Sequence, residues 1–410
     1  MARGRGTVVF PALLLIHAAS SYPTRAPAEG LSLRQPHTHT SNSTLATFTN
    51  PSGVYLQGFN WDLIAGVETR QPLYASLQAI APSLEGLIDG VWLPPISQAA
   101  DRAGYLPGRY YEIRDEAALR SALSALSEAG VMAICDVVLN HRTGVSPDAC
   151  SGEYTSFEMP DWGDWAVVRN DYKCEGGVTC PPGCGCGEED TGDNLCAAPD
   201  VDHTEARVRT DVLAFLAWLR DDLGFAGLRF DMVKGFAPEY TGMYAQGAAF
   251  AVGEFYDGDV DKVAAWVRGS GVAAFDFPLR FRLRDALKAD SYVGLPTAGL
   301  VAAQPAMAAT FVENHDTERD DPFPKDLLVK GYVYTLTHPG TPFVFYPHWF
   351  SLSDPIKRLI ALRKAAKITT DTPVSIDKQE GGLYAAYIGS SAICDGFLLV
   401  KIGSRLDWAP

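Results

Sequence analysis

Residues 116–141 read EAALRSALSALSEAGVMAICDVVLNH and join two patterns that together indicate a fold class. The first, Glu116–Ala129, has apolar residues three and four positions apart, which predicts an amphipathic helix. The second, Val131–Leu139, is nearly continuous in apolar residues, which predicts a strand buried on both faces. A helix that leads into such a strand indicates a parallel sheet covered by helices.

The same pairing of strand and helix recurs from Val54 onward. Glu205–Asp222 and Pro355–Ala366 are further helical patterns. Eight strands that alternate with helices predict an α/β protein with a (β/α)8 TIM barrel, and an open doubly wound sheet is the alternative. No G-x-G-x-x-G motif follows a strand, so a dinucleotide fold lacks its fingerprint. The predicted strands are Val54–Gly58, Gly90–Leu93, Val131–Leu139, Gly227–Asp231, Phe250–Glu254, Ala274–Phe277, Ala309–Glu313 and Thr341–Phe345.

Two regions interrupt this rhythm. Residues 142–203 are rich in Gly, Pro, Cys and Asp, and such a long aperiodic stretch predicts a loop-rich domain inserted after the third strand. Residues 369–410 contain the apolar runs GLYAAYIG and GFLLVKIG, which predict a small C-terminal antiparallel β domain. The barrel is then expected over residues 51–141 and 204–368.

The composition excludes several classes of protein. Of 410 residues, 47% are hydrophobic and 20% are charged, as in globular proteins. Lys and Arg total 34 against 49 for Asp and Glu, so the formal net charge is −15. Such an acidic chain repels phosphate backbones and anionic lipids, so we expect no nucleic acid and no membrane as partners. The acidity suits a protein that holds divalent cations.

The N-terminus has the pattern of a secretion signal over residues 1–21. Arg3 and Arg5 precede the apolar run Thr7–Ala19, which is too short to span a bilayer comfortably. A buried first strand or helix is the alternative interpretation of this run. Residues 22–50 are rich in Pro, Ser, Thr and His and predict a disordered leader.

Six of the eight cysteines lie within residues 150–196, in the inserted region. Clustered cysteines behind a secretion signal predict disulfides, whose connectivity the sequence leaves open. Zinc is the alternative, although Cys180, Cys184 and Cys186 lack the paired C-x2-C spacing of a zinc ribbon. Cys135 lies in an apolar run and is expected to be a buried free thiol.

Polar residues at the strand ends are few, and acids are the most frequent type among them. In a parallel barrel these ends meet at one rim, where active-site residues lie. Three acids around one cavity fit cleavage of a glycosidic bond, in which one carboxyl protonates the leaving oxygen and an ionised one attacks or directs water. Taken singly, each acid would be interpreted as a solvated loop residue. The strand ends supply Asp136, Asn140, His141, Arg229, Asp231, Glu254, Asn314, His315 and Asp316.

Four segments, in order and spacing, resemble the signature regions of the α-amylase family of glycoside hydrolases. Further segments are similar to plant-type α-amylases, among them YLQGFNWD (55–62) and GYLPGRYYEI (104–113). The resemblance covers most of residues 54–405. The four signature segments are DVVLNH (136–141), GLRFDMVKG (227–235), GE (253–254) and FVENHD (311–316).

The resemblance implies a role for each acid. Asp231 matches the nucleophile, Glu254 the general acid/base, and Asp316 the acid that binds sugar hydroxyls and stabilises the transition state. Arg229 would keep Asp231 ionised, and Glu254 needs a raised pKa, which partial desolvation would provide. Retention of configuration predicts that the Asp231 and Glu254 carboxyls lie about 5–5.5 Å apart. The implied substrate-binding residues are Tyr105, His141, Arg229, Lys234 and His315.

The resemblance also implies a Ca²⁺ ion that ties the inserted region to the barrel. Hard oxygen donors are the ligands that this ion prefers. An acidic solvated loop is the alternative, and the family more often has a small apolar residue where Asp193 stands. The implied ligands are the side chains of Asn140, Asp190 and Asp200 and the backbone carbonyls of Asp193 and Gly235.

The chain also departs from the family pattern. No tryptophan follows Glu254 closely, so a usual sugar platform is missing. Gln304-Pro305 stands where some relatives have paired tryptophans that bind starch. The run between Asp316 and Pro322 is short, and the chain stops before the last strands of the usual β domain.

These observations predict a calcium-dependent endo-hydrolase of α-1,4-glucans that retains anomeric configuration. We expect a monomer acting on α-glucan polysaccharide, secreted or held in a vacuole or plastid. One alternative is a related glucan transferase or debranching enzyme. Another is a non-catalytic glucan-binding relative, but such proteins lose one or more of the acids, and Asp231, Glu254 and Asp316 are all present.

Overall fold

The computed structural model describes residues 52–170, 180–195, 197–389 and 398–407. The predicted signal (1–21) and leader (22–50) lie outside these residues, as do Cys174, Cys196 and Cys394. In chain order the described strands are β1 (Tyr55–Gln57), β2 (Gly90–Leu93), β3 (Ser97–Ala99), β4 (Pro107–Ile113), β5 (Met132–Val137), β6 (Gly227–Phe230), β7 (Phe250–Gly253), β8 (Ala273–Phe275), β9 (Ala308–Phe311), β10 (Thr341–Phe345), β11 (Val374–Glu380), β12 (Leu383–Ile388) and β13 (Leu398–Gly403).

Helices connect most of these strands. Short 3₁₀ turns cover Asp164–Ala166, Val233–Gly235, Leu295–Thr297 and Pro305–Met307. The described α-helices are α1 (Trp61–Ile64), α2 (Gln71–Leu84), α3 (Glu116–Glu128), α4 (Ala206–Asp221), α5 (Pro238–Tyr244), α6 (Val260–Ser270), α7 (Phe277–Ala289), α8 (Leu300–Ala303), α9 (Thr317–Asp320), α10 (Leu328–Thr337), α11 (Tyr346–Ser351) and α12 (Ser353–Ala365). No helix in the described part of the chain is long and apolar enough to cross a lipid bilayer.

Eight strands close into a barrel in the order β1-β10-β9-β8-β7-β6-β5-β2. Every neighbouring pair is parallel, including the closing pair of β1 with β2. Each of the eight predicted strands is present, with bounds that differ from the prediction by two residues at most. The predicted TIM barrel is therefore confirmed, and the open doubly wound sheet is excluded.

The unit from α3 to β5 shows how the sequence produces this architecture. Helix α3 buries Leu119, Ala122, Leu123 and Leu126, which lie three and four residues apart on one face. Strand β5 is buried along almost its whole length, because the helix layer covers one face and the barrel interior the other. The polar residues that follow β5 then emerge at the carboxyl rim of the barrel.

Aromatic rings fill the barrel interior. Tyr55 on β1 lies 4.5 Å, between ring centroids, from Phe250 on β7, although these strands are not neighbours. Trp92 on β2 lies 5.4 Å from Phe275 on β8 across the same space. The interior is therefore a packed core that supports the rim from below, as in other barrels of this type.

The hairpin of β3 and β4 was not predicted from the sequence. These two antiparallel strands pair with register shifts beside Gln98, so their alternation is irregular. Strand β3 has only three residues, which gives too short a pattern to recognise. The hairpin matters for the site because its turn carries Tyr105.

The buried side chain of Arg142 connects the inserted region to this hairpin through hydrogen bonds and ring contacts. Its guanidinium donates to Gly108 O at 2.8 Å and to Pro160 O at 3.0 Å. It also lies 4.6 Å from the Tyr110 and Trp162 ring centroids. A side chain next to His141 therefore links the hairpin to the insertion, although the limits of the inserted domain, residues 142–203, stay a prediction.

Disulfides cross-link the insertion further. Cys150 bonds to Cys184, and Cys180 bonds to Cys186. The disulfide prediction is confirmed for these four residues, and zinc ligation by the cluster at 180–186 is excluded because all three of its sulfur atoms are in disulfide bonds. Cys135 is free and buried, as predicted.

Strands β11, β12 and β13 form an antiparallel sheet beside the barrel. His338, directly after α10, contacts Tyr384 Oη on β12 through Nε2 at 2.7 Å. Gly382 N donates to Asp290 O at 2.7 Å, which joins the sheet to the end of α7. The prediction of a C-terminal antiparallel β unit is confirmed for the described residues.

Candidate active site

The predicted site residues follow directly on barrel strands. Asp231 comes one residue after β6, Glu254 one residue after β7, and His141 a few residues after β5. His315 and Asp316 follow β9. Because all these strands are parallel, their carboxyl ends lie at one rim and the side chains converge there.

Arg229 is the centre of this group. Its guanidinium is fully buried, and Nη1 lies 2.6 Å from Asp231 Oδ1 and 2.8 Å from Asp136 Oδ1. Nη2 forms an ion pair with Glu254 Oε1 at 3.0 Å. The guanidinium also lies 4.7 Å from the ring centroid of Trp92, which covers it. One buried cation therefore holds three carboxylates together without exposing its charge to water.

Glu254 has the environment of a proton donor. Burial raises the pKa of this carboxyl well above its usual value, against the opposing effect of the Arg229 charge. The charges of Asp231 and Asp316 raise it further, because a second and third anion nearby disfavour ionisation. Burial likewise raises the pKa of Asp316 to about 6. The predicted raised pKa of Glu254 therefore has two physical causes here, burial and neighbouring acids.

Tyr105, His141 and His315 meet beside these acids. The rings of Tyr105 and His315 stack with centroids 5.5 Å apart and planes inclined by 11°. His141 Nε2 donates to the backbone carbonyl of Tyr105 at 2.6 Å. Tyr105 Oη lies 2.9 Å from Asp136 Oδ2. The structure thus brings together three of the five residues that the resemblance implied as substrate-binding.

Lys234 lies apart from the cluster around Arg229. Its Nζ pairs with Asp257 at 3.4 Å and with Asp193 at 3.3 Å, and it lies 5.5 Å from the Phe255 ring centroid. It therefore borders the segment that follows Glu254. This position agrees with a contact away from the cleavage point.

The residues expected to hold Ca²⁺ lie where the insertion meets the rim. Asn140 Nδ2 donates to Asp200 Oδ1 at 2.8 Å, whereas the buried Asn140 Oδ1 has no hydrogen-bond partner among the described residues. A Cβ atom at Gly235 would lie 1.8 Å from that oxygen, so this approach requires glycine. Asp193 N donates to Lys234 O at 2.8 Å, which brings the segment beginning at Asp190 against the same turn.

This donor set fits calcium. A buried amide oxygen without a proton donor is a hard ligand whose burial a cation would compensate. The Asp193 side chain pairs with Lys234, which leaves its carbonyl as the group available to the ion. The described residues contain no group of three or more His, Cys, Asp and Glu side chains placed for a metal. The implied set contains only two such acids, Asp190 and Asp200, beside amide and carbonyl oxygens.

Several residues at the rim received no role from the sequence. Gln57 and Trp92 lie among apolar residues, and glutamine and tryptophan there carry no signal of their own. Asp136 was noted as a strand-end acid but not assigned a role, although it binds Arg229. Tyr256 is 38% exposed and packs on the Phe277 ring at 4.4 Å. Its position two residues after Glu254 was the available signal, because an exposed aromatic side chain can stack on a sugar.

Comparisons with known proteins agree with this geometry. No protein-family model matches the chain. The chain is 32% identical over 394 residues to a probable alpha-amylase 2 of Arabidopsis thaliana, covering 87% of this chain and 89% of that protein. It is 33% identical to the chloroplastic alpha-amylase 3 of the same plant, covering 85% of this chain but 41% of that longer protein.

Solved structures share the fold. An alpha-amylase from Malbranchea cinnamomea superimposes with a TM-score of 0.66 at 21% identity and covers 86% of this chain and 85% of its own. The catalytic geometry at the barrel rim and the relative matched over 89% of its length point the same way. We conclude that the chain belongs to the α-amylase family of glycoside hydrolases.

Proposed function

We propose that this protein hydrolyses internal α-1,4-glucosidic bonds of starch-type or glycogen-type glucans and retains the anomeric configuration. The observation that carries the proposal is the ion-pair cluster in which Arg229 contacts both Asp231 and Glu254. Two carboxyls held on one guanidinium are close neighbours, as a double-displacement reaction needs. We keep about 5–5.5 Å as the predicted distance between the two carboxyls.

The first step breaks the glycosidic bond. Asp231 attacks the anomeric carbon and forms a covalent glycosyl ester, while Glu254 gives its proton to the departing oxygen. A raised pKa lets Glu254 carry that proton near neutral pH. In the second step water attacks the same anomeric carbon, Glu254 takes the proton from water, and the bond from that carbon to the Asp231 oxygen breaks, so that Asp231 leaves as a carboxylate. Two inversions at one carbon give net retention.

The remaining residues bind and orient the sugar. Asp316 accepts hydrogen bonds from ring hydroxyls and stabilises the positive charge that develops in the transition state. Tyr105 supplies an aromatic face under the ring, and His141 and His315 contact its hydroxyls. Lys234 and Tyr256 contact the sugar on the leaving-group side, where Tyr256 replaces the missing tryptophan.

We propose that Ca²⁺ is held by the side chains of Asn140, Asp190 and Asp200 and by the carbonyls of Asp193 and Gly235. The ion would supply positive charge that neutralises the two aspartates and cross-links the insertion to the rim. Asn140 lies next to His141 in the sequence, so an ion that fixes the position of Asn140 would also fix the position of a substrate-binding side chain. The role of the ion is therefore structural.

We place the protein in the secretory pathway or outside the cell, with a vacuole or plastid as the alternative. The disulfides support an oxidising environment. We keep a monomer as the expected state. A glucan transferase would use the same acids, but no feature of the described residues at the site favours a sugar over water as acceptor.

The test is incubation of the purified protein with soluble starch, with products resolved by chain length and their anomeric form followed by proton NMR. Early release of mixed short maltooligosaccharides in the α form is the expected result. The control is Glu254→Gln at equal concentration. A single short product released from chain ends would contradict endo-action, and β-anomers would contradict retention. Products longer than the donor would identify a transferase.

A further inference from the structure

Four buried or half-buried polar side chains form a continuous row behind the site. Gln57 Nε2 lies 3.0 Å from His315 Nδ1, and His315 Nε2 lies 2.9 Å from Tyr105 Oη. Tyr105 Oη lies 2.9 Å from Asp136 Oδ2. Gln57 and His315 are at most 2% exposed, so water does not compete for these contacts. The row runs from β1 through β9 and the β3–β4 hairpin to β5.

The two ends of the row give it a direction. The amide nitrogen of Gln57 can only donate, so Nδ1 of His315 must be the acceptor. At the other end, the Asp136 oxygens face only donors: Arg229 Nη1 at 2.8 Å and Trp92 Nε1 at 3.0 Å. The Tyr105 hydroxyl therefore gives its proton to Asp136 and must accept from His315. Both ends require a hydrogen on Nε2 of His315 and none on Nδ1.

The surroundings of His315 agree with a neutral ring. Burial lowers the pKa of this imidazole well below its usual value, and the charges of Arg229 and Arg319 lower it further. The one carboxylate at its edge is Asp316, whose Oδ2 lies 3.4 Å from Nε2. Among the described residues, the rings of Phe59, Trp61, Trp92 and Tyr105 also pack around it.

We propose that Gln57 is a positioning residue for the reaction, because its amide fixes His315 in the neutral tautomer that carries its proton on Nε2. That proton points toward Tyr105 and Asp316, where the cleaved sugar is bound. In the free protein this hydrogen is donated to Tyr105 Oη, and on substrate binding it would be shared with a sugar hydroxyl, so that His315 acts as a donor at the site. The tautomer is a property of the free protein, whereas its benefit to catalysis rests on the function proposed above.

Two variants of Gln57 test whether its amide sets the tautomer of His315. Gln57→Met keeps the approximate volume and removes the donor. Gln57→Glu keeps the shape but places an acceptor against Nδ1, which favours a proton on Nδ1. Gln304→Met is the matched control, because Gln304 precedes β9 at the opposite end of the barrel.

The readouts are nitrogen-15 NMR of protein labelled in histidine and steady-state kinetics on a defined maltooligosaccharide. The His315 signals are assigned by their loss in His315→Asn.

In the wild-type protein at neutral pH, His315 should show a protonated Nε2 and an unprotonated Nδ1. Gln57→Glu should move a proton to Nδ1 and lower kcat about a hundredfold, since a misplaced imidazole proton is costly in catalysis. Gln57→Met should lower kcat about tenfold, as expected for one lost hydrogen bond, with KM changed much less. Gln304→Met should resemble the wild type in both measurements.

The proposal is overturned if wild-type His315 carries its proton on Nδ1 or on both nitrogens. It is also overturned if Gln57→Glu leaves the tautomer or kcat unchanged while the protein remains folded by circular dichroism. Absence of glucan hydrolysis in the wild type, with the Nε2 tautomer present, would instead contradict the proposed function. The NMR measurement therefore separates the two failures.

Discussion

Arg280 Nη1 donates to Asp321 Oδ2 at 2.7 Å and so joins helix α7 to the end of the segment that carries Asp316. The same guanidinium is fully buried and donates to the carbonyl of Val312, where that segment begins, at 3.2 Å. Both ends of the shortened segment between β9 and Pro322 are thus attached to one side chain. A short loop held at both ends has few conformations, which positions Asp316 toward Arg229.

Arg280→Met should therefore affect stability and catalysis together. Removing the guanidinium takes its donors away from the carbonyls of Val312 and Asp321, whereas the Asp321 carboxylate keeps Arg284, and we expect a loss of about 1–3 kcal/mol in the free energy of unfolding. We also expect kcat to fall about tenfold or more, because a small displacement of a catalytic group is costly. Urea unfolding and kinetics well below the melting temperature measure the two effects. Arg282→Met, an exposed change on the same helix, should be nearly silent; equal effects from both variants would contradict this role.

Asp231→Asn and Glu254→Gln should each lower kcat on starch by on the order of 10⁴-fold or more. Each amide keeps the shape of the side chain but cannot attack or transfer the proton. Residual activity should differ with the leaving group: Glu254→Gln should retain more activity on an aryl maltooligoside, which needs no proton, whereas Asp231→Asn should not. Equal losses on both substrates in the two variants would speak against the assigned roles.

Three buried carboxyls should each contribute less stability to the free protein as pH rises from about 4 to about 7, whereas the buried histidines His203, His315 and His338, whose pKa values are lowered, contribute in the opposite direction. Burial raises the pKa of Asp316 to about 6 and of Asp276 to about 6, and that of Glu254 well above its usual value. In this range the folded state holds protons that the unfolded chain releases, so stability present at low pH is lost as pH rises through the raised values.

Asp316→Asn should remove one of these contributions. We expect this variant to be more stable than wild type by about 1–2 kcal/mol at pH 7, and to show no such gain at pH 4, where the wild-type carboxyl is protonated. Urea unfolding at pH 4, 5.5 and 7 measures the difference. A gain that is the same at all three pH values would rule out titration as the cause.

Removal of calcium by a chelator should lower the melting temperature by about 5–10 °C, because a ligand bound only to the folded state stabilises it by mass action. Asn140→Ala should show a smaller response, since it removes a side-chain ligand. Asp193→Asn should respond as the wild type does, because only its carbonyl is assigned to the ion. Differential scanning calorimetry with and without chelator measures this, and an unchanged wild-type melting temperature would exclude the structural ion.

Much of the site could be predicted from the sequence, because its signals are local. Each of Asp231, Glu254 and Asp316 follows an apolar run that forms a barrel strand, so its place at the rim follows from strand order alone. Tyr105 was found by resemblance, although the irregular hairpin that carries it was not predicted. Gln57 and Arg280 escaped notice because their partners lie 258 and 41 residues away in the chain.

The sequence by itself determined the barrel and the residue types at its rim, because periodicity and the switch from apolar to polar at each strand end are properties of neighbouring residues. Only the tertiary structure decided which way the hydrogen bonds run and which charges share a partner. Arg229 balances three carboxylates that come from β5, β6 and β7, and their pKa values depend on burial that exists only when the barrel closes. Distance and dielectric, which set those energies, are three-dimensional quantities.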